Sequence, residues 1–360
     1  SSSGQRGRVV LPLFTNYKIG EDKSSNLVSA ILEDRAGRIW FGTQGGLYML
    51  NRQDPKHPFQ PVPIGYPNKP DQLFEVDKLL EDDEGSLWLG SIYGLSRRLP
   101  DGRFIHYSVF PGEGIDSIRA IHEDSEGRLW IGHQFGLLIF KPEPAAKVGS
   151  SFVALEKLAR QQNLQAGRLQ LPSAVGEARW YTTADGLIDQ RVRAICESDD
   201  GHIWLGTLSG GLAEFDGRQF RHYTTAQGIS RLITALAEDN AGNLWVGSQI
   251  AGATRISRRG FSTYRQSDGL GQSDIFSIFE DREGALVVVN NGWFINRLGG
   301  RSDKSSDAGA DSANGNKFVS VTPNLPQKLK SGGGGNRPMI QTRNGEWWIA
   351  SGDGLFRFPA

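Results

Sequence analysis

One cysteine in 360 residues, Cys196, has no partner for an internal disulfide, so no disulfide framework holds this chain. Its place in the apolar run Ala194-Ile195-Cys196 marks it as a small buried hydrophobe. No apolar run approaches the roughly 18 residues of a membrane-spanning helix. The N-terminus, Ser1-Ser2-Ser3-Gly4, has neither an initiator Met nor a signal-peptide core and reads as a trimmed or processed end. Charge of one sign is also missing. The 40 basic and 40 acidic side chains cancel, which gives no footprint for nucleic acid or an anionic membrane surface. Motifs that carry chemistry are absent as well. His57, His106, His122, His133, His202 and His222 show no metal-ligand spacing, and there is no nucleophile elbow, phosphate loop or zinc motif. No catalytic residue, metal or cofactor is therefore assigned.

What the chain does have is glycine, 46 residues, and tryptophan, 9 residues, set at a regular interval. The pattern Glu-Asp-x-x-Gly-x-Leu-Trp-x-Gly begins at Glu33-Asp34-Arg35-Ala36-Gly37-Arg38-Ile39-Trp40-Phe41-Gly42 and returns about every forty residues. Later copies carry Gly85/Trp88/Gly90, Gly127/Trp130/Gly132, Gly201/Trp204/Gly206, Gly242/Trp245/Gly247, Gly284/Val287 and Gly345/Trp348. Departures are local: Ser198 replaces the turn Asp, Gln341-Thr342 replace Glu-Asp, and Val287 replaces Trp.

Each copy predicts four short antiparallel strands. Val28 to Leu32 alternates, Asp34 to Gly37 turns, Ile39 to Thr43 carries the aromatic, and a third strand follows Gly45-Gly46. Asp bonds the backbone two residues on and Gly accepts positive φ, so Asp-x-x-Gly reverses the chain tightly. The Glu-Asp pairs are accordingly read as turn formers. A fourth strand has Phe-x-x-Tyr spacing at Phe14/Tyr17, Phe104/Tyr107, Phe220/Tyr223 and Phe261/Tyr264, with weaker copies near Tyr66, Trp180/Tyr181 and Phe318/Val321.

Sheets with large side chains on both faces bury them by stacking radially. The expected fold is all-β: a seven-bladed β-propeller of four-stranded antiparallel blades spanning residues 1–360 as one domain. The chain begins on an unpaired outer strand, Leu11 to Tyr17, and stops after a third one, Leu355 to Phe358. The N-terminal strand should therefore complete the last blade and remove its open edge. Three insertions interrupt the period: a proline-rich stretch at 51–72, expected as a surface loop; 141–177, with a short helix expected over Val153 to Arg160; and 299–316, rich in Ser, Asp and Gly. The glycine run 332–335 is similarly loop-like.

These repeats resemble the two-component regulator propeller, on phrases such as Phe220-Arg221-His222-Tyr223-Thr224-Thr225-Ala226-Gln227-Gly228-Ile229 and Glu238-Asp239-Asn240-Ala241-Gly242-Asn243-Leu244-Trp245-Val246-Gly247-Ser248. The resemblance implies a non-enzymatic sensor on the periplasmic side of a bacterial inner membrane. It implies a small-molecule or oligosaccharide ligand and further receptor domains or a second propeller as partners.

Two sets of positions are candidates for the ligand. The loops between second and third strands supply Gln44, Tyr93, Gln134, Phe135, Ser209, Gln249, Asn291, Trp293 and Asp353, aromatics beside amides that suit a sugar or peptide. The residue after the Val28 position is Ser29, Asp77, Arg119, Arg193, Thr234, Phe276 and Arg337 in successive copies. Arginine forks near the axis suit a carboxylate, sulfate or phosphate, hence an anionic ligand. The next position is mostly small (Ala30, Ala120, Ala194, Ala235, Ser277). Polar lining of an axial channel is also what any propeller has. Two other functional readings remain open: an interaction platform, with an apolar patch at Leu155 and Leu158, and a propeller lyase resembling the streptogramin-inactivating enzymes.

Overall fold

The computed structural model describes residues 14–65, 74–109, 117–149, 152–155, 175–257, 260–290, 295–298, 317–321, 338–351 and 354–359. They form seven sheets of four antiparallel strands, with a fifth, parallel strand added to one of them. The first blade is typical: Val28–Glu33 lies innermost, followed outward by Ile39–Thr43, Gly46–Leu50 and Phe59–Val62. Consecutive inner strands pack against each other, and apolar clusters fill the gaps between blades.

The turn chemistry recurs in every blade. The turn glycines sit at φ between 71° and 89°, and each N–H closes the turn onto the carbonyl three residues back, as Gly127 does on Asp124 at 2.8 Å. The Asp carboxylate then does more than turn the chain: it accepts from the indole Nε1 of the blade's tryptophan, Trp40 on Asp34 at 2.8 Å, Trp88 on Asp82 at 2.8 Å, Trp130 on Asp124 at 2.6 Å and Trp245 on Asp239 at 2.7 Å. In the fourth blade the Ser198 hydroxyl accepts from Trp204 at 3.1 Å. In the sixth, where Val287 stands for Trp, Arg297 meets the Asp281 carboxylate at 2.5 Å.

The ring closes as expected. Thr15–Tyr17 pairs antiparallel with Gly354–Phe358, Tyr17 opposite Leu355, and is the outer strand of the seventh blade. Tyr17 stacks on Trp348 at 5.9 Å, and Trp348 meets Phe41 of the first blade at 5.6 Å, so one apolar cluster spans the seam.

Three expectations are corrected. The outer strand of the first blade is Phe59–Val62, inside the proline-rich stretch expected as loop, with Pro61 facing Tyr48. Proline fits there because an outer strand leaves one row of backbone donors unpaired. The helix expected from Val153 begins instead as a strand: Phe152–Ala154 runs parallel to Phe104–Ser108 and extends the second blade, while 156–160 lies outside the described residues. Leu155 is buried with Trp88 and Tyr107, so it offers no exposed patch. The insertion at 299–316 and the run 332–335 lie outside the described residues, as do Tyr66, Leu158 and Leu11 to Leu13.

Candidate functional site

The inner strands enter the sheet irregularly, and the irregularity aims side chains at the axis. Val28 faces Thr43 and Ala30 faces Gly42, so Ser29 is an extra residue bulged out of the ladder. The same shift skips Arg119, Arg193, Thr234 and Phe276 in their blades. A bulge re-aims the side chain of its unpaired residue. In the second blade Lys78 faces Gly90, as Ala30 faces Gly42, which puts Asp77 at the equivalent place.

These residues meet. Ser29, Asp77, Arg119, Arg193, Thr234 and Phe276 line one axial cavity of 220 Å³. Lys78, Gln249, Ser277 and Pro338 complete its wall. Lys78 was overlooked in the sequence, although it stands alone as a long side chain where the other blades have Ala, Ser or Pro. Of the loop candidates, Gln249 reaches this cavity. Gln44, Tyr93, Gln134, Phe135 and Ser209 lie off it; Tyr93 packs edge-on against Phe74 at 4.9 Å and Phe135 lies 5.4 Å from His133. Arg337, Asn291, Trp293 and Asp353 lie outside the described residues.

The cavity is biased towards cations. Arg119 Nη1 lies 3.9 Å from Asp77 Oδ2. The side chains of Arg193 and Lys78 have no hydrogen bond or ion pair among the described residues. Burial pushes the Lys78 ammonium down; the Asp77 charge opposes this, while Arg119 and Arg193 add to it. Burial also lowers Arg193, with the Arg119 and Arg191 charges acting in the same direction. Glu75, beside Asp77, is pushed up by burial and then by the Asp77 carboxylate. An anion entering here would take up unpaired guanidinium and ammonium donors and relieve their mutual repulsion.

Residues 22–45, 112–135, 186–209 and 227–249 match the family model described as the two component regulator propeller. Four of the seven repeats match this family model. The propeller is similar to the extracellular domain of a hybrid two component system from B. thetaiotaomicron, at TM-score 0.70 and 19% identity, over 97% of this chain and 41% of that one. This chain therefore spans well under half of that domain. It is also similar to a streptogramin B lyase, at TM-score 0.65 and 12% identity over 96% of this chain and 97% of that one. A virginiamycin B lyase from Staphylococcus aureus gives TM-score 0.65 and 11% identity over 97% and 99%. No curated protein matches the chain by sequence. At these identities the solved structures share the fold.

Proposed function

We propose that this regulator propeller is the ligand-sensing part of a bacterial receptor, working on the extracytoplasmic, periplasmic side of the inner membrane and handing its signal to further domains or to a second propeller. The ligand is an anionic small molecule or acidic oligosaccharide held at the axis, with residues 1–360 acting as one binding unit and no catalytic step. The observation that carries this reading is the axial cavity, where among the described residues Arg119, Arg193 and Lys78 outnumber the one lining carboxylate, Asp77. The B. thetaiotaomicron extracellular domain, of like fold, supports the placement outside the cytoplasm. The lyases support an enzymatic alternative at the level of fold alone.

A thermal-shift screen of acidic and neutral oligosaccharides and small carboxylates tests it. A ligand at 100 times its dissociation constant adds about 2.7 kcal/mol to stability, a readily measured rise in midpoint. Arg119→Ala and Arg193→Ala should each abolish the response. Equal shifts in parent and variants would place the ligand elsewhere and defeat the axial reading.

A further inference from the structure

A second cavity, of 480 Å³, opens beside the axial one between the loops of the fourth and fifth blades, with Ile229 as its buried floor and Leu208, Leu232 and Ile250 as its walls. The chain joins the two. Gln249 lines the axial cavity and the next residues, Ile250 and Ala251, line the second. Arg193 lines the axial cavity; two residues earlier, Arg191 donates to the Ser209 hydroxyl in the wall of the second and accepts from the Leu208 N–H at 3.0 Å.

The two cavities differ in chemistry. The walls of the second are branched aliphatic side chains with no aromatic ring among the described lining residues, so it gives a sugar nothing to stack on. Ile250 leaves 65% of its surface in water, an exposure that a bound apolar group would remove. Arg231 stands at the rim, exposed and without an ion pair among the described residues. Small-molecule sites typically measure roughly 300–1,000 Å³ and combine an apolar wall with a few convergent polar groups, and the two cavities together have both features.

We propose that the two cavities are one bipartite site for an amphipathic anion, its carboxylate, sulfate or phosphate head among Arg119, Arg193 and Lys78 and its apolar tail or ring against Leu208, Ile229 and Ile250. The inference rests on the axial sensor reading and narrows its ligand class.

Octanoate is the probe, titrated calorimetrically into the full 360-residue chain beside acetate, octan-1-ol and a sulfated disaccharide. Octanoate should bind saturably and at least tenfold more tightly than acetate or octan-1-ol, with each methylene from hexanoate upward tightening binding about fourfold. Ile250→Asp and Arg193→Ala should each weaken octanoate at least tenfold. Ile250 is exposed, so the unliganded melting point of Ile250→Asp should match the parent. Octan-1-ol binding as tightly as octanoate, or Ile250→Asp leaving octanoate unaffected, overturns the bipartite site. Arg193-dependent binding of the sulfated disaccharide, with octanoate no better than acetate, overturns it while leaving the axial sensor reading intact. If no anion binds and Arg119→Ala and Arg193→Ala change nothing, both readings fall.

Discussion

Six of the seven repeats carry a glutamate just before the turn, and the turn does not use it. Glu81 accepts the backbone N–H of Arg35 from the blade before it at 2.7 Å, and Glu123 does the same for Asp83 at 2.8 Å. The arrangement continues through Ser125 on Glu197, Asp199 on Glu238, Asn240 on Glu280 and Arg282 on Gln341, and ends with Arg343 on Glu33 at 2.6 Å. Aspartate thus builds the turn while glutamate holds the neighbouring blade, a division of labour that the sequence reading missed when it took the pair as one turn signal. Glu123 bears a cost: burial, with Asp82 and Asp83 adding to it, pushes its carboxyl up to about 7 despite the N–H it accepts. Because the folded pKa lies above the unfolded one, near 4.5, the stabilising contribution is complete below pH 4.5 and is lost as pH rises through 7. The seventh blade shows that an amide can do the same job, since Gln341 accepts from Arg282 at 3.1 Å. Glu123→Gln should therefore raise stability at pH 8 by about 1 kcal/mol, the residue being only half-buried, and remove the decline between pH 4.5 and 7. Urea midpoints at pH 4.5 and 8 would check this.

At the scale of the strand, the glycine two residues after the tryptophan is fixed by the next blade. A Cβ on Gly132 would lie 2.8 Å from the carbonyl oxygen of Val192, and one on Gly206 only 2.4 Å from Ile233 Cγ2. Gly42, Gly90 and Gly247 face Val76, Ile118 and Ile275 in the same way. The repeat thus records in one residue how closely blades approach. Gly132→Val should cost about 2–3 kcal/mol by forcing the third and fourth blades apart, read as a lower urea midpoint. Val289 and Ala350 fill the corresponding positions of the sixth and seventh blades; Val289 lies in one apolar cluster with Met339 and Phe356 of the seventh, and Ala350 in one with Val28 and Ile31 of the first. Strand bulges, a second feature at this scale, turn one residue to the axis in each of five blades and so make much of the candidate site a property of strand geometry.

For the whole molecule the vulnerable place is the seam, where Thr15–Tyr17, continuous along the chain with the first blade, is held in the seventh only by non-covalent contacts. Beyond the borrowed strand, Glu346 of the seventh blade takes Arg52 of the first at 2.7 Å and also pairs with Arg357. Burial would raise the Glu346 carboxyl, but the two arginines hold it at about 2. A depressed folded pKa gives stability that is present above pH 4.5 and lost as pH falls towards 2. Arg52 and Arg357 are partly exposed, which discounts the pair, so Glu346→Gln should cost about 1–2 kcal/mol at neutral pH and much less near pH 2. Denaturant unfolding at pH 7 and pH 2.5 would show the difference.

The repeat period, the turns, the seven blades, the borrowed first strand and most of the axial ring were legible in the sequence, because each depends on neighbours along the chain or on counting copies in register. Ser29, Asp77, Arg119, Arg193, Thr234 and Phe276 could be aligned as equivalents without knowing where they point. Tertiary structure alone decided what lies between blades and between loops. It set the partner of each glutamate and the space denied at Gly132. It turned Phe59–Val62 into an outer strand and placed Phe152–Ala154 on another blade, where the expected helix would have left Leu155 exposed. It also brought Ile229 and Ile250 together beside the axis. The reason is physical: hydrophobic period and turn chemistry are local, whereas contacts across blades arise only once the sheets pack radially and the curvature of the closed ring fixes which side chains face one another.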